Sequence, residues 1–293
     1  MFTIGEFESI NSEYKSKQAT RRQKLVKVWG ILLSLTIFII VMFILIFPNQ
    51  FNNGDTAWVL PTYGGIAFFI TFFGFLISTK YQSGKPIYEF IFNEVIQKIN
   101  MYEGLFLDYK AFDKEDRGFN KVGGLFTNHA TVRVKRHISG DTDEHHHFNI
   151  YDCSMTTSSG NSQQTHFSGV YFVLNRQFDT SLQIRTNGSP KLKGVKFDRQ
   201  DGFEGLRVYK EREQSMTNID HTLLTFMNKL SENEEYRRVY LSVVDGQMHL
   251  GLWYKKNPLG KEKVMTVEVL NRFATYFMSE YQMINNLSAI DNF

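Results

Sequence analysis

The chain has 293 residues, of which 42% are hydrophobic, and a formal net charge of +3 at pH 7. Up to Lys85 it holds eight Lys or Arg against four Asp or Glu, whereas from Pro86 onward it holds 25 against 26. The long C-terminal part is therefore not basic, which argues against nucleic-acid binding through a large cationic face. The single cysteine, Cys153, excludes an internal disulfide and a multi-cysteine zinc site, as is usual in a reducing compartment.

Two long apolar runs dominate the N-terminal part. They cover Val28 to Phe47 and Ala57 to Thr79, and neither contains a charged residue. The connecting loop, Pro48 to Thr56, carries Asp55 as its only charge. A hydrocarbon core of about 30 Å needs roughly 20 apolar residues in a helix. We therefore predict a transmembrane helical hairpin over residues 28–79.

Basic residues flank both runs and are absent from the loop between them, and these are Lys15, Lys17, Arg21, Arg22, Lys24, Lys27, Lys80 and Lys85. This asymmetry predicts a two-span membrane protein, with both termini in the cytoplasm and the lipid bilayer as one partner. A cleaved signal peptide would need a shorter apolar region and a small-residue cleavage site, and the first run has neither. Gly30 and Ser34 favour close helix packing, which we interpret as packing within the hairpin rather than a homodimer contact.

The charge and hydropathy changes divide the chain into four parts. We predict a basic N-terminal segment over 1–27, the hairpin over 28–79, a linker and juxtamembrane helix over 80–104, and a soluble domain over 105–293. Met1 to Ala19 fits either a short amphipathic helix or a frayed terminus. Apolar residues at helical spacing predict a helix from Pro86 to about Tyr102.

The pattern changes to period two after Leu105 and becomes rich in β-branched and aromatic residues. It predicts strands near Thr131–His137, His147–Met155, Thr165–Leu174, Leu182–Thr186 and Leu206–Tyr209. The stretch from Phe167 to Leu174 is almost continuously apolar, which is typical of a central strand covered on both faces.

The last third alternates between helical and strand patterns. A helix is predicted from about Asn218 to Leu230, followed by a hairpin of Tyr236–Val244 and Gln247–Tyr254 around Asp245 and Gly246. Thr266–Leu287 reads as a long amphipathic helix, for which we favour docking on the sheet over exposure to a partner. Together these patterns predict an α+β fold, with a mainly antiparallel sheet and packed helices behind the hairpin.

Three groups of aromatic and turn residues occur in a recognisable order in the soluble region. They are Phe167–Phe172 with Asn175 and Phe178, Asp201–Tyr209, and Val239–Leu241 before Asp245 and Gly246. In this order the region resembles a bacterial family of two-span membrane proteins classed as a domain of unknown function and also labelled galanin-like. The resemblance covers roughly residues 125–252. It implies a cytoplasmic module tethered to a bacterial inner membrane and assigns no catalytic residue.

The most polar cluster of the sequence lies in the turn from Asp141 to His147. Carboxylate and imidazole groups are zinc ligands, so Asp143, His145 and His147 are the candidate metal ligands, and His129, His137, His166 and His249 could complete a site in space. Consecutive histidines in a strand point to opposite faces, and an exposed turn of this kind usually meets only solvent. We therefore predict no metal and no cofactor.

Catalytic motifs give no positive indication. No serine lies in a Gly-x-Ser-x-Gly elbow. The segments Lys121–Gly124 and Gly202–Gly205 lack the glycine spacing of a phosphate-binding loop and the Lys-Ser or Lys-Thr that follows it. The catalytic residues are therefore unknown, and we predict a membrane-anchored cytoplasmic binding or scaffold protein that holds a protein partner, with homo-oligomerisation possible in principle. A membrane-bound metal-dependent hydrolase is the alternative.

Overall fold

The computed structural model describes residues 2–46, 69, 71–75, 85–111, 118–127, 130–159, 162–176, 181–192, 194–212, 221–256, 258 and 266–290. The chain forms two compact units. The first comprises Met1–Ile91 with Lys263–Val267, and the second comprises Phe92–Glu262 with Glu268–Phe293.

The first unit contains one long helix, α1, from Ile4 to Ile46. Its start is fixed by a capping box, in which the Glu6 backbone N–H donates to Thr3 Oγ1 at 3.3 Å and the Thr3 N–H donates to Glu6 Oε2 at 2.7 Å. Residues 71–75 are also helical. Their Phe75 ring lies against the edge of Trp29, with centroids 6.0 Å apart.

The predicted transmembrane hairpin is wrong. Within the described residues, no helix combines the length and the apolar character that crossing a membrane requires. The run Val28–Phe47 is not a separate element, because residues 28–46 form the C-terminal half of α1 and its N-terminal half carries charged residues such as Glu6 and Lys17. Most of Ala57–Thr79 lies outside the described residues. The predicted two-span membrane location and its cytoplasmic termini are overturned by the same finding.

Among the described residues, the second unit contains nine strands and the remaining helices. In chain order they are α2 Lys85–Glu103, which begins in the first unit, β1 Asp108–Ala111, α3 Phe119–Gly123, β2 Thr131–Asp141, β3 His147–Ser159, β4 Ser162–Asn175, β5 Leu182–Arg185, β6 Phe197–Gln200, β7 Arg207–Glu211, α4 His221–Glu232, β8 Tyr236–Val244, β9 Gln247–Tyr254 and α5 Val267–Ser288.

The strands form one antiparallel sheet in the order β1-β2-β3-β4-β9-β8-β5-β7-β6. The β8–β9 hairpin turns at Asp245 and Gly246, which both have positive φ, 50° and 72°. This is the geometry of a type I′ turn. The β4–β9 pair lies near the middle of the sheet and joins the long β2–β3–β4 meander to the shorter strands.

Opposite residues in paired strands point to the same face, so the register defines two faces. The helix face includes the row Ile150, Phe172, Leu250, Leu241, Ile184 and Val208. On this side Phe273 of α5 packs on Phe92 of α2, with ring centroids 4.9 Å apart. The other face, here called the tyrosine face, includes the row Tyr151, Tyr171, Gly251, Tyr240, Arg185 and Arg207.

Residues 118–127 cover part of the tyrosine face. Phe119 stacks on Tyr151 with centroids 4.2 Å apart, and Phe126 meets Tyr240 edge-on at 5.0 Å. Both phenylalanines are buried. The middle of the sheet is therefore covered on both sides, which explains why β4 is an almost continuous apolar run.

Most predicted elements of this unit are confirmed in type. The hairpin strands have the predicted bounds, and the last helix is docked, with Leu270, Phe273 and Phe277 buried. The pattern missed β1, α3 and β6, each of five residues or fewer. Such short elements contain too few residues to show a period.

Candidate functional site

The predicted histidine turn does not bring its candidate ligands together. Asp143 faces α5, where its carboxylate accepts hydrogen bonds from the Tyr281 hydroxyl at 3.0 Å and from Asn285 Nδ2 at 3.1 Å. His147 Nδ1 lies 3.1 Å from Asp141 Oδ1, and His145 is exposed with a φ of 62°. The turn therefore anchors the end of α5.

The other predicted histidines also lie apart in separate contacts. His137 stacks on Tyr151 at 4.5 Å, and His166 Nε2 lies 2.8 Å from the Thr157 hydroxyl, whereas His129 falls outside the described residues. Across the part of the chain that the structure describes, no group of three His, Cys, Asp or Glu side chains could hold a metal ion. The turn thus adds no observation in favour of the hydrolase alternative.

A buried polar row crosses the tyrosine face instead. Pairing places Gln183, Ser242 and His249 side by side on β5, β8 and β9, and all three are fully buried. Gln183 Nε2 donates to Ser242 Oγ at 3.2 Å and also lies 3.4 Å from the carbonyl oxygen of Gly124. The covering residues 118–127 and the sheet are therefore joined by polar contacts as well as by aromatic packing.

His249 is the least satisfied member of this row. Its Nδ1 lies 3.3 Å from the Tyr171 hydroxyl, and its Nε2 has no hydrogen-bond partner among the described residues. Burial raises the pKa of Tyr171, so the hydroxyl stays protonated and can donate to Nδ1. Gly123 lies directly above the pair, where a Cβ would overlap both side chains. Burial lowers the pKa of His249 to about 4.

The buried imidazole predicts a dependence of stability on pH. In the unfolded chain His249 titrates near pH 6.5, above its folded value of about 4, so the unfolded state binds more protons between these values. The contribution of the neutral His249 to the free energy of unfolding is therefore full above pH 6.5 and is lost as the pH falls toward 4. Between pH 8 and pH 5, we expect the free energy of unfolding to fall by about 2 kcal/mol less in His249→Gln than in the wild type.

The measurement is the free energy of unfolding of both proteins by denaturant at a series of pH values. The matched control is His221→Gln, because His221 is exposed at the start of α4. An equal pH dependence in wild type and His249→Gln would contradict the buried, neutral assignment.

Arg185, in the next row of the tyrosine face, is a buried cation with neutral partners. Its guanidinium donates to the Leu125 carbonyl at 2.7 Å, to Gln183 Oε1 at 3.0 Å and to the Asn187 carbonyl at 3.4 Å, and it lies over the Tyr240 ring at 5.1 Å. Its side chain forms no ion pair with a described residue. Burial lowers its pKa, because the charged form loses hydration.

Arg136 on the helix face is the contrasting case in the same unit. It is as buried as Arg185, but it forms a two-pronged ion pair with Glu280 of α5, at 2.9 and 2.8 Å. Burial alone would lower the pKa of Arg136, yet the carboxylate raises it above its usual value. Glu280 thus neutralises the charge of Arg136, whereas Arg185 has no carboxylate partner among the described residues.

Two exposed arginines lie beside Arg185 on the tyrosine face. Arg207 of β7 is directly opposite Arg185, and Arg199 of β6 is opposite Tyr209, two residues further along β7. Arg199 and Arg207 are exposed and form no ion pair with a described residue. We call Arg185, Arg199 and Arg207 the arginine cluster. Like charges directly opposite each other destabilise a strand pair, so the charges of Arg185 and Arg207 oppose the pairing of β5 with β7.

Comparisons with known proteins leave the family open. No protein-family model matches the sequence, and no curated protein matches it. A crystal structure of the mycobacterial trehalose monomycolate transport factor A has 12% sequence identity and a TM-score of 0.33, over 61% of this chain and 90% of that one. A likeness at this level carries no argument. The resemblance to the two-span bacterial family stays a prediction.

Sequence reasoning missed the arginine cluster because the three residues come from three strands. The net charge of −1 from Pro86 onward hides a local concentration of positive charge on one face. The alternation in Arg207-Val-Tyr209 places both outer residues on one face, but β6 and the register of β5 are needed to bring the other arginines beside them.

Proposed function

We propose that the protein is a binding or scaffold protein that holds a partner protein through the apolar half of α1. The observation that carries this proposal is the exposure of large apolar side chains on α1. Ile31, Leu35 and Phe38 have 66%, 55% and 62% of their surface accessible. Large apolar patches of this kind mark interaction surfaces in proteins.

Four of the exposed apolar residues lie on one stripe, while Val28, Leu32, Ile37 and Val41 are exposed on other sides of α1. Ile31, Leu35, Phe38 and Met42 follow each other at intervals of four, three and four residues, which is the spacing of a helix seam that receives a second helix. A different side of α1, with Trp29, Leu33 and Thr36, is half-buried. The stripe is thus distinct from the side of α1 that already packs within its own unit.

The shape of the stripe favours an apolar helix as the occupant. A shallow groove on α1 is lined by Lys27, Gly30, Ile31, Ser34, Leu35 and Phe38. Gly30 and Ser34 form its floor, because a glycine and a serine four residues apart leave space between larger neighbours. A helix from a partner protein can place its own apolar ridge in such a groove.

Photo-crosslinking in the source cells tests this function. With a photoreactive residue at Phe38 in a tagged full-length chain, we expect a defined protein adduct, and no such adduct from the same residue at exposed, polar Ser16 of α1. The adduct at position 38 should fall at least fivefold when Gly30→Leu fills the groove.

Gly5→Leu is the matched control for this experiment. Gly5 and Gly30 both lie in α1, and a Cβ at either position meets nothing within 4 Å, so the two substitutions begin from equally open positions. Gly5→Leu should leave the adduct unchanged. Adducts with copies of this chain alone, none at position 38, or equal loss in both glycine variants would reject the proposal.

A further inference from the structure

The arginine cluster on the tyrosine face goes beyond the proposed partner-holding role of α1. We infer that the strands β5, β6 and β7 bind a small phosphate-bearing ligand through Arg199 and Arg207, with Arg185 beneath them. The cluster lies wholly within the second unit and does not involve α1. Ligand binding at the cluster and partner binding at α1 can therefore be tested independently.

The spacing of the cluster suits a single phosphate group. Residues opposite each other on paired strands have Cβ atoms about 5 Å apart, and diagonal neighbours are about 7–8 Å apart. Arg185 and Arg207 are opposite neighbours, and Arg199 is diagonal to Arg207. Long side chains at these separations can converge on one anion from adjacent strands.

The number of cations favours phosphate over carboxylate. One two-pronged arginine satisfies a carboxylate, as Glu280 shows with Arg136. A phosphate group offers more oxygens and more charge, so it can accept from two exposed arginines and offset the buried third. Arg185 is too buried to be the main contact, and its role is to supply positive potential from beneath, since burial reduces solvent screening.

Acidic residues close to the cluster are few. Glu211 is the one carboxylate that the register places on this face of β5, β6 and β7, and it lies opposite Phe197, one row beyond Tyr209. Asp198 points to the other face and is bound by Arg212 at 2.7 Å. Asp201 and Glu204 lie in the exposed loop between β6 and β7.

A small ligand fits this surface better than a nucleic acid does. The cluster occupies only three short strands, and the chain from Pro86 onward has a net charge of −1. A long polyanion would therefore extend beyond the cluster to a surface that does not attract it. A ligand with one to three phosphate groups stays within reach of Arg199 and Arg207.

Isothermal titration of the full-length chain with inorganic tripolyphosphate and with adenosine diphosphate, at about 0.15 M salt, tests the inference. We expect at least one of the two to bind with one site per chain. Arg207→Gln and Arg199→Gln should each weaken that binding about tenfold. Arg207→Lys should weaken it less than Arg207→Gln, because lysine keeps the charge and loses the fork.

Arg133→Gln is the control, because Arg133 is an exposed arginine on β2 and its loss changes the net charge equally. It should change the affinity less than twofold. Failure of both phosphate compounds to bind at millimolar concentration, equal weakening by Arg133→Gln and Arg207→Gln, or binding of a single-stranded oligonucleotide without binding of either compound would overturn the inference. None of these outcomes bears on the crosslinking at α1.

Discussion

Glu280→Leu should destabilise the second unit by about 3–5 kcal/mol, because it leaves the guanidinium of Arg136 buried without its counter-charge. Arg136 and Glu280 are 1% and 2% exposed at their side chains, so neither can turn to water without opening the contact between α5 and the sheet. Two aromatic rings, Phe92 and Tyr276, lie against the guanidinium at 5.1 and 5.4 Å. They close the pair off from solvent.

The double variant Arg136→Met/Glu280→Leu separates the cost of an unpaired charge from the cost of lost packing. Replacing a buried ion pair by apolar residues of similar volume is often neutral or stabilising. We expect the double variant to recover most of the stability lost in Glu280→Leu. The measurement is the free energy of unfolding of the second unit, read from hydrogen exchange of the β4 amides.

An exposed ion pair provides the comparison. Arg212 and Asp198 also form an ion pair through two guanidinium nitrogens, with N–O distances of 2.7 to 3.1 Å, but lie in solvent. Asp198→Asn should leave the unfolding free energy unchanged within error, because water screens such pairs. If Glu280→Leu is equally harmless, the buried pair does not hold α5 on the sheet.

The strands and helices of the second unit were predictable where their patterns were long. The alternation in Tyr236–Val244 and Gln247–Tyr254 and the turn residues between them define both strands and their register. The apolar stripe of α5 likewise identified a docked helix. The buried charge in that stripe was not predictable, because a glutamate at position 280 looks like any surface glutamate until Arg136 is placed opposite it.

The register of the sheet decides which face some side chains occupy, and the sequence pattern does not show it. Strict alternation from Val132 and Val134 would place Arg136 with them on the tyrosine face. A β-bulge between Val134 and Arg136 turns Arg136 to the helix face instead. The arginine cluster depends in the same way on the pairing of β5, β6 and β7. Single positions of this kind follow from tertiary contacts that a one-dimensional pattern does not specify.

The hairpin prediction rested on hydropathy alone. Within the described residues no helix is long and apolar enough to cross a membrane, and residues 28–46 are not a separate helix but the end of one that begins at a capping box at Thr3. A hydropathy pattern reports the composition of a segment and not the bounds of the helix that contains it. The exposed side chains that the prediction assigned to lipid, such as Ile31 and Phe38, are the ones on which the partner-binding proposal rests.

Gly169→Ala should destabilise the second unit by about 3 kcal/mol, since the added methyl group has no space in the middle of the sheet. A Cβ at Gly169 would overlap the backbone carbonyl of Leu252 on the paired strand β9. A flexible side chain could move aside, but a backbone carbonyl in a central ladder cannot move without shifting its strand. The measurement is again hydrogen exchange of the β4 and β9 amides.

Gly251→Ala is the matched control on the partner strand. There a Cβ would meet the rings of Phe167 and Phe126 at 3.5 and 3.6 Å, which is ordinary van der Waals contact. Its effect should stay below about 1 kcal/mol, because alanine in a strand offsets part of any packing cost. Equal effects of the two substitutions would contradict the pairing of β4 with β9. That pairing sets His249 beside Tyr171 and aligns β8 and β5 with the arginine cluster, so both sites depend on its register.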